Sequence, residues 1–305
     1  FIASLTDPSE LWWIVFSLLI AIVTAGNGFL FYPAFVARAN GLELAPPLDR
    51  VLRGDEKGKP VLSLVIPAYN EEERLPAMLK DAHEYLSKNQ CKALKVLGGK
   101  ADREISVEWI VVDDGSRDRT SEVFEEFAAT SKSHFMSWRL VRLPINRGKG
   151  AAVQAGMLAS CGKFCLMVDA DGATDFGNGL EALCAEMDTG DQYGAILIGS
   201  RAHIQNERSL TRRILSSAFR TLLAITLGGK AAGSLRDTQC GFKLFPEDAA
   251  KSIFNNLHLQ RWGFDIEVLY LAVLLQFDLK EVVVPWQEIE GSKLHTSALN
   301  LAWVS

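Results

Sequence analysis

Asp169 and Asp171 stand two residues apart, directly after the apolar run 163–168, which Gly162 and Gly172 bracket. An apolar run of that length between glycines reads as a buried strand. Alternate side chains of extended backbone point to the same side. Two carboxylates so placed can share one hard cation, Mg²⁺ or Mn²⁺, which prefers oxygen ligands and completes its shell with water and substrate phosphates. The chemistry to expect is the handling of a nucleotide diphosphate. A lone Asp-x-Asp arises by chance in a chain this rich in Asp, so the weight rests on what stands around it.

Two further strand ends carry polar groups: Pro67, Tyr69 and Glu71 after the run 61–66, and Asp113 with Asp114 after the run 107–112. In a parallel sheet such ends are neighbours, and the crevice beyond them is where α/β folds bind nucleotides. The loop 146–150 (Asn-Arg-Gly-Lys-Gly) resembles a phosphate-binding loop but lacks the spacing of a P-loop. Its Arg147 and Lys149 could neutralise a diphosphate or simply be solvated. The segment 237–245, which opens with Asp237, mixes polar and apolar residues in a way that suggests a site rather than a plain strand. Caps and turns of a structural domain are the rival reading, and they suit Asn70 and Asp118.

The elements that must position these residues alternate along the chain. Strand runs fall at 61–66, 107–112, 138–143, 163–168, 194–199 and 281–285. Between the first two, Asn70 with Glu73 has capping-box spacing, and Leu75, Met78, Leu79, Ala82 and Leu86 repeat at helical spacing. Helices are also expected from Asp118 to Phe127 and from the 146–150 loop to Ser160, and residues 209–227 form a basic, then apolar helical stretch. Residues 89–106 look like a mobile surface insertion. Strand–helix alternation indicates an α/β class, a mostly parallel, doubly wound sheet.

With 305 residues and 48% hydrophobic composition, the chain can bury one large core or two small ones and is not disordered. A net charge of −5 provides no basic field, so nucleic acid is not an expected partner. Five cysteines without CxxC spacing suggest reduced thiols facing a cytosol rather than disulfides or a metal centre. Residues 11–37 contain no charge and are long enough to cross a bilayer as one helix. A cleaved signal peptide is the rival, but the apolar stretch exceeds the usual h-region and no basic residue precedes it. Asp7 and Glu10 lie before it, whereas Arg38, Arg50, Arg53, Lys57 and Lys59 follow, which places the C-terminal part in the cytosol. The organisation expected is an anchor at 1–38, a linker at 39–60, a catalytic domain at 61–293 and an incomplete tail at 294–305.

The blocks 65–71, 111–118, 146–150 and 169–172 resemble, in order, those of family 2 glycosyltransferases with their Rossmann-like GT-A fold. The later blocks 199–203, 236–245, 261–267 and 288–293 are similar to those of members that move glucose from UDP-glucose to dolichyl phosphate with inversion. The resemblance implies that Pro67, Tyr69 and Glu71 line the nucleotide, that Asp114 meets the uracil ring with Asp113 beside it, and that Asp169, Ala170 and Asp171 meet the metal and diphosphate. Asp237 would orient the sugar or acceptor, as would Asp265, or both would be structural polar residues closing the acceptor loop. Arg201 would hold the acceptor phosphate together with Arg212 or Arg213 and Ser216 or Ser217, the register being open. Membrane lipids, the cytosolic face of the endoplasmic reticulum and N-glycan assembly would be its setting. Two alternatives remain: mannose transfer from GDP-mannose to the same acceptor, and a non-catalytic nucleotide-binding membrane module. The chain departs from the family by ending at Ser305 and by its glycine-rich stretch 228–233.

Overall fold

The computed structural model describes residues 59–88, 92–98, 106–131, 133–188, 194–201, 235–261 and 263–289, all within the compact unit Pro47–Ser305. The expected membrane anchor, the linker up to residue 58, the tail and the helical stretch 209–227 lie outside the described residues. Among the described residues no helix is long and apolar enough to cross a membrane.

In chain order the elements are β1 (Leu62–Ala68), α1 (Leu75–Ser87), α2 (Lys92–Gly98), β2 (Val107–Asp113), α3 (Thr120–Thr130), β3 (Met136–Arg142) and α4 (Lys149–Ala159). They continue with β4 (Phe164–Val168), α5 (Phe176–Asp188), β5 (Ile196–Ser200), β6 (Phe242–Pro246), α6 (Glu247–Asn255), α7 (Phe264–Leu274) and β7 (Leu279–Val283). The strands form one sheet in the order β3-β2-β1-β4-β6-β5-β7. β1 runs parallel to both β2 and β4, with Ala68 opposite Asp113. β6 is antiparallel to β4 and to β5, and β7 is parallel to β5. The sheet is therefore α/β and mixed, with one reversed strand inside an otherwise parallel pattern.

β4 is apolar throughout, and β1 is so apart from Ser63, because both faces are covered. Leu64 and Ile66 face a layer containing Leu79 of α1, Leu94 of α2, Phe124 of α3 and Leu180 of α5. Val65, between them, faces Val153 and Met157 of α4, with Phe254 of α6 and Val268 of α7 in the same layer. Period-two alternation thus divides one continuous apolar run between two cores.

Two local expectations are corrected, and a third is refined. α1 begins at Leu75 after Arg74, with no side-chain cap, so there is no capping box at Asn70 and Glu73. Asn70 instead takes a left-handed backbone (φ +53°), and its Oδ1 accepts the Arg117 N–H at 2.8 Å, which commits it to the loop after β2. Within 89–106, residues 92–98 form a helix rather than a mobile insertion: Ala93, Leu94 and Leu97 make an apolar stripe packed on α5. The segment 237–245 is half loop and half strand, because Phe242 and Leu244 turn to one core while Phe245 turns to the other.

Candidate active site

The carboxyl ends of β1, β2 and β4 lie side by side, and their loops are laced together by backbone donors. Asp114 donates its N–H to the Ala68 carbonyl at 2.9 Å. Asn70 and Glu71 donate theirs to Ser116 Oγ and Thr120 Oγ1, at 2.9 and 2.7 Å. Asp113 is buried and braces this turn, accepting Ser116 N–H at 2.8 Å and the Ser121 hydroxyl. Glu71 accepts a fork from one guanidinium edge of Arg74, Nε at 2.7 Å and Nη2 at 2.6 Å.

Asp114 does more than face the crevice. Its two oxygens accept the N–H groups of Arg147 and Gly148, each at 2.8 Å, so the 146–150 loop hangs from it. Burial raises the Asp114 carboxyl above its ordinary value, and the two backbone donors recover only part of that shift. Gly148 is required there: it sits at φ +104°, and a Cβ would stand 2.6 Å from the Gln260 carbonyl. The Ala151 N–H closes the same contact at 2.9 Å from that carbonyl. The loop is therefore held between β2 and the segment before α7, at the start of α4.

That placement aims Lys149 across the crevice. Its Nζ lies 2.5 Å from Asp169 Oδ1. Burial disfavours the Lys149 ammonium, but the fields of Asp169 and then Asp265 outweigh it, so its pKa is raised. Asp169 Oδ1 is buried and has no well-aligned hydrogen-bond donor among the described residues, despite the nearby ammonium. A Cβ on Gly241 would collide with the same carboxylate, so the loop before β6 closes its other side. Asp171 Oδ1 accepts the Ala173 N–H at 3.0 Å.

These features fit a hard divalent cation. The donors are oxygens only, one buried oxygen lacks an aligned donor, and the Lys149 ammonium on Asp169 stands where the charge of a bound cation would lie. No group of three or more His, Cys, Asp or Glu side chains able to hold a metal occurs among the described residues. The protein would thus contribute two carboxylates and leave the remaining positions to phosphate and water, as Mg²⁺ sites commonly do.

On the far side of Asp169, at the end of β5, Arg201 forms a fork with Asp237: Nε to Oδ2 at 2.6 Å and Nη2 to Oδ1 at 2.8 Å. The Arg201 N–H adds a third bond to Oδ2 at 3.0 Å. Burial alone would lift the Asp237 carboxyl, but the arginine's bonds and charge leave it lowered, while Arg201 is raised in turn. The Arg201 guanidinium lies over the Trp286 ring, 5.4 Å from its centroid. Segment 284–287 is stitched to the loop after Asp171: Asp175 donates to the Pro285 carbonyl at 3.2 Å and Gln287 to that of Ala173 at 2.9 Å.

Pro67, Tyr69, Glu71, Asp113, Asp114, Arg147, Lys149, Asp169, Ala170, Asp171, Arg201 and Asp237 are all described and lie on the loops and strand ends just traced. Arg212, Arg213, Ser216 and Ser217 lie outside the described residues. Sequence reasoning overlooked Lys243, whose Nζ reaches Asp265 Oδ1 at 2.6 Å and the Cys240 carbonyl at 2.7 Å inside the sheet. It also overlooked Glu281 and Trp286, although a charged residue in the middle of an apolar strand was a visible signal for Lys243.

A mixed sheet whose parallel strand ends gather paired carboxylates, a lysine bound to one of them and a fixed arginine fits a nucleotide-sugar-dependent transferase with a GT-A-like fold. The chain belongs to glycosyl transferase family 2, whose family model matches residues 63–254. It is 44% identical over 240 residues to dolichyl-phosphate beta-glucosyltransferase of Dictyostelium discoideum, covering 76% of this chain and 68% of that one. It is 43% identical over 239 residues to the human protein of that name, covering 76% and 69%. Among solved structures, glucosyl-3-phosphoglycerate synthase of Mycobacterium tuberculosis shares the fold, with a TM-score of 0.51, 18% identity and coverage of 76% of this chain and 73% of that chain.

Proposed function

We propose that the protein transfers glucose from UDP-glucose to dolichyl phosphate, giving dolichyl β-D-glucosyl phosphate. The observation that carries the reading is the pairing, in one crevice, of the Asp169–Lys149 ion pair with the Arg201 fork. Two phosphate-bearing substrates need two such centres, and the names of the relatives supply the donor sugar and the acceptor.

UDP lies along β1, β2 and the 146–150 loop, with Pro67, Tyr69 and Asp114 toward the nucleoside and Lys149 toward the diphosphate. Asp169 and Asp171 would hold Mg²⁺ or Mn²⁺, which when bound supplies Lewis-acid stabilisation of charge on the leaving diphosphate. An acceptor phosphate oxygen attacks the anomeric carbon from the face opposite UDP. The C–O bond to UDP breaks with its electron pair going to the diphosphate, and the α linkage becomes β. A phosphate monoester has its second pKa near about 6, so at about pH 7 the nucleophile is largely dianionic and needs no strong base. This suits a crevice in which Asp237 is committed to Arg201 and Asp265 to Lys243. Arg201 grips the acceptor phosphate, with Arg212 or Arg213 and Ser216 or Ser217 as further partners.

The setting proposed is the endoplasmic reticulum membrane, with one N-terminal span, lipid around the acceptor and the catalytic domain facing the cytosol. The charge asymmetry about residues 11–37 supports that orientation. The reduced thiols of Cys161, Cys165 and Cys240 agree with it.

Transfer of radiolabelled sugar to dolichyl phosphate, measured in detergent with Mg²⁺ or Mn²⁺ and with UDP-glucose and GDP-mannose in parallel, tests the reading. Label reaching lipid from UDP-glucose alone is expected. Transfer from GDP-mannose alone would replace the donor, and metal-independent UDP binding without transfer would favour a non-catalytic module.

A further inference from the structure

We propose that Glu281 is a positioning residue for the acceptor phosphate, acting through Asp237 on Arg201; the inference rests on the reading of Arg201 given above. Glu281 occupies the middle of β7, in register with Ile198 of β5, three residues before Arg201. Its two carboxylate oxygens accept two consecutive backbone N–H groups, Arg236 to Oε2 and Asp237 to Oε1, each at 2.9 Å. The backbone at Asp237 is thereby fixed to the sheet, and its buried side chain then fixes Nε and Nη2 of Arg201. From β7 to the guanidinium the chain of contacts is continuous and every bond in it involves a charged group.

Arg201 itself is squeezed between two elements anchored to the same strand. Asp237 grips one edge, and Trp286, three residues beyond the end of β7, lies against its face. Nη1 and the second N–H of Nη2 are not used by Asp237, and these can make a forked contact with phosphate oxygens. An arginine held on one edge and one face loses little freedom on binding, so its preorganisation appears as acceptor affinity. Asp169 acts on the charge of Arg201, which places the fixed guanidinium within electrostatic reach of the diphosphate end of the crevice. Loosening Glu281 therefore weakens the acceptor while the donor's own contacts, on β1, β2 and α4, stay as they are.

The experiment uses the full chain in detergent, comparing wild type, Glu281→Gln, Arg201→Ala and the double variant. KM for dolichyl phosphate and for UDP-glucose, kcat, and UDP affinity with Mn²⁺ are measured for each. Glutamine keeps one acceptor oxygen and turns an NH₂ toward the other N–H, so one of the two bonds is lost. Glu281→Gln is expected to raise the acceptor KM about tenfold, with donor KM and UDP affinity unchanged. Arg201→Ala is expected to raise it further, and the double variant to match Arg201→Ala, since a residue acting through Arg201 adds nothing once Arg201 is gone.

Additive effects in the double variant would overturn the proposal, as would an unchanged acceptor KM in Glu281→Gln alongside a raised one in Arg201→Ala. Loss of UDP affinity in Glu281→Gln would assign the residue to the fold and overturn it too. If Arg201→Ala leaves the acceptor KM unchanged, the acceptor-site reading is what fails. Should only GDP-mannose serve as donor, acceptor KM is read with that donor and the Glu281 test stands.

Discussion

Lys149 and Asp169 form an ion pair of 2.5 Å that joins the start of α4 to the end of β4. The lysine thus holds in place the carboxylate that a divalent cation would claim. On the proposed reading, a cation binding Asp169 would displace the ammonium, and the donor diphosphate would receive it.

Replacing Lys149 with Met separates these two roles. UDP affinity in the presence of Mn²⁺ should fall about 10- to 100-fold, the value of a charge-assisted hydrogen bond worth ~1.5–3 kcal/mol. Mn²⁺ affinity of the nucleotide-free protein should rise, because a competing cation has been removed. Calorimetric titration of UDP and electron paramagnetic resonance of free Mn²⁺ read the two quantities separately. Unchanged UDP affinity would confine Lys149 to holding Asp169.

Gly241→Ala tests the geometry of the Asp169 carboxylate without replacing a charged residue. The added Cβ meets both oxygens and the carboxyl carbon of Asp169. The backbone there has little room to yield, since β6 begins at the next residue. Displacing a reacting group by about 1 Å can cost ~100-fold in rate, and a loss of transfer of that order is expected. Metal-independent UDP binding should persist. Transfer at the wild-type rate would mean that Asp169 can shift without consequence, which would weaken its metal role.

Much of this fold was legible because its central strands are buried on both faces. β1, β2 and β4 stand out as short apolar runs, and polar residues at their ends announced the crevice. The reversed strand β6 was not legible because Lys243 interrupts its pattern. That charge is tolerated only because Asp265, 22 residues on, reaches it inside the sheet. Asn70 and Glu73 had the spacing of a capping box, but Arg117, 47 residues away, claimed the asparagine oxygen first. Arg201 and Asp237 were each recognisable as polar residues in a suggestive block, yet nothing in spacing couples residues 36 apart into a fork. Glu281 has the same difficulty in stronger form, since a glutamate on an edge strand ordinarily points to water.

The Arg201–Asp237 pair also carries a pH signature. Asp237 is held below the ordinary carboxylate value of 3.8 in the folded protein. A lowered acid stabilises the fold at any pH above its unfolded value, and that contribution is lost as pH falls through the folded one. Asp237→Asn should therefore cost about 3 kcal/mol at neutral pH, as expected when one partner of a largely buried pair is removed. The gap between wild type and variant should hold steady from about pH 8 to about pH 5 and close only below the unfolded value. Urea unfolding in detergent across that range measures it. A gap that narrows between about pH 7 and about pH 5 would contradict the lowered value.

Lys243 and Asp265 make the converse case, a charge pair inside the core whose role is packing rather than contact with substrate. Both side chains are almost fully buried, at 1% and 6% exposure, so neither can reach a sugar in the crevice without unpacking the sheet. Lys243→Met leaves the Asp265 charge inside the core with its partner removed and should destabilise by about 3–5 kcal/mol. Combining it with Asp265→Leu removes both charges. Buried pairs exchanged for apolar residues of similar size are often neutral, so the double variant should recover most of the lost stability instead of adding two penalties. If the pair serves packing alone, that variant transfers glucose at close to the wild-type rate. A double variant that is stable yet inactive would instead show that the Asp265 charge is needed in place, consistent with its influence on Lys149. Paired unfolding and transfer assays on the three variants distinguish the two, because a packing role moves stability and activity together whereas an electrostatic role separates them.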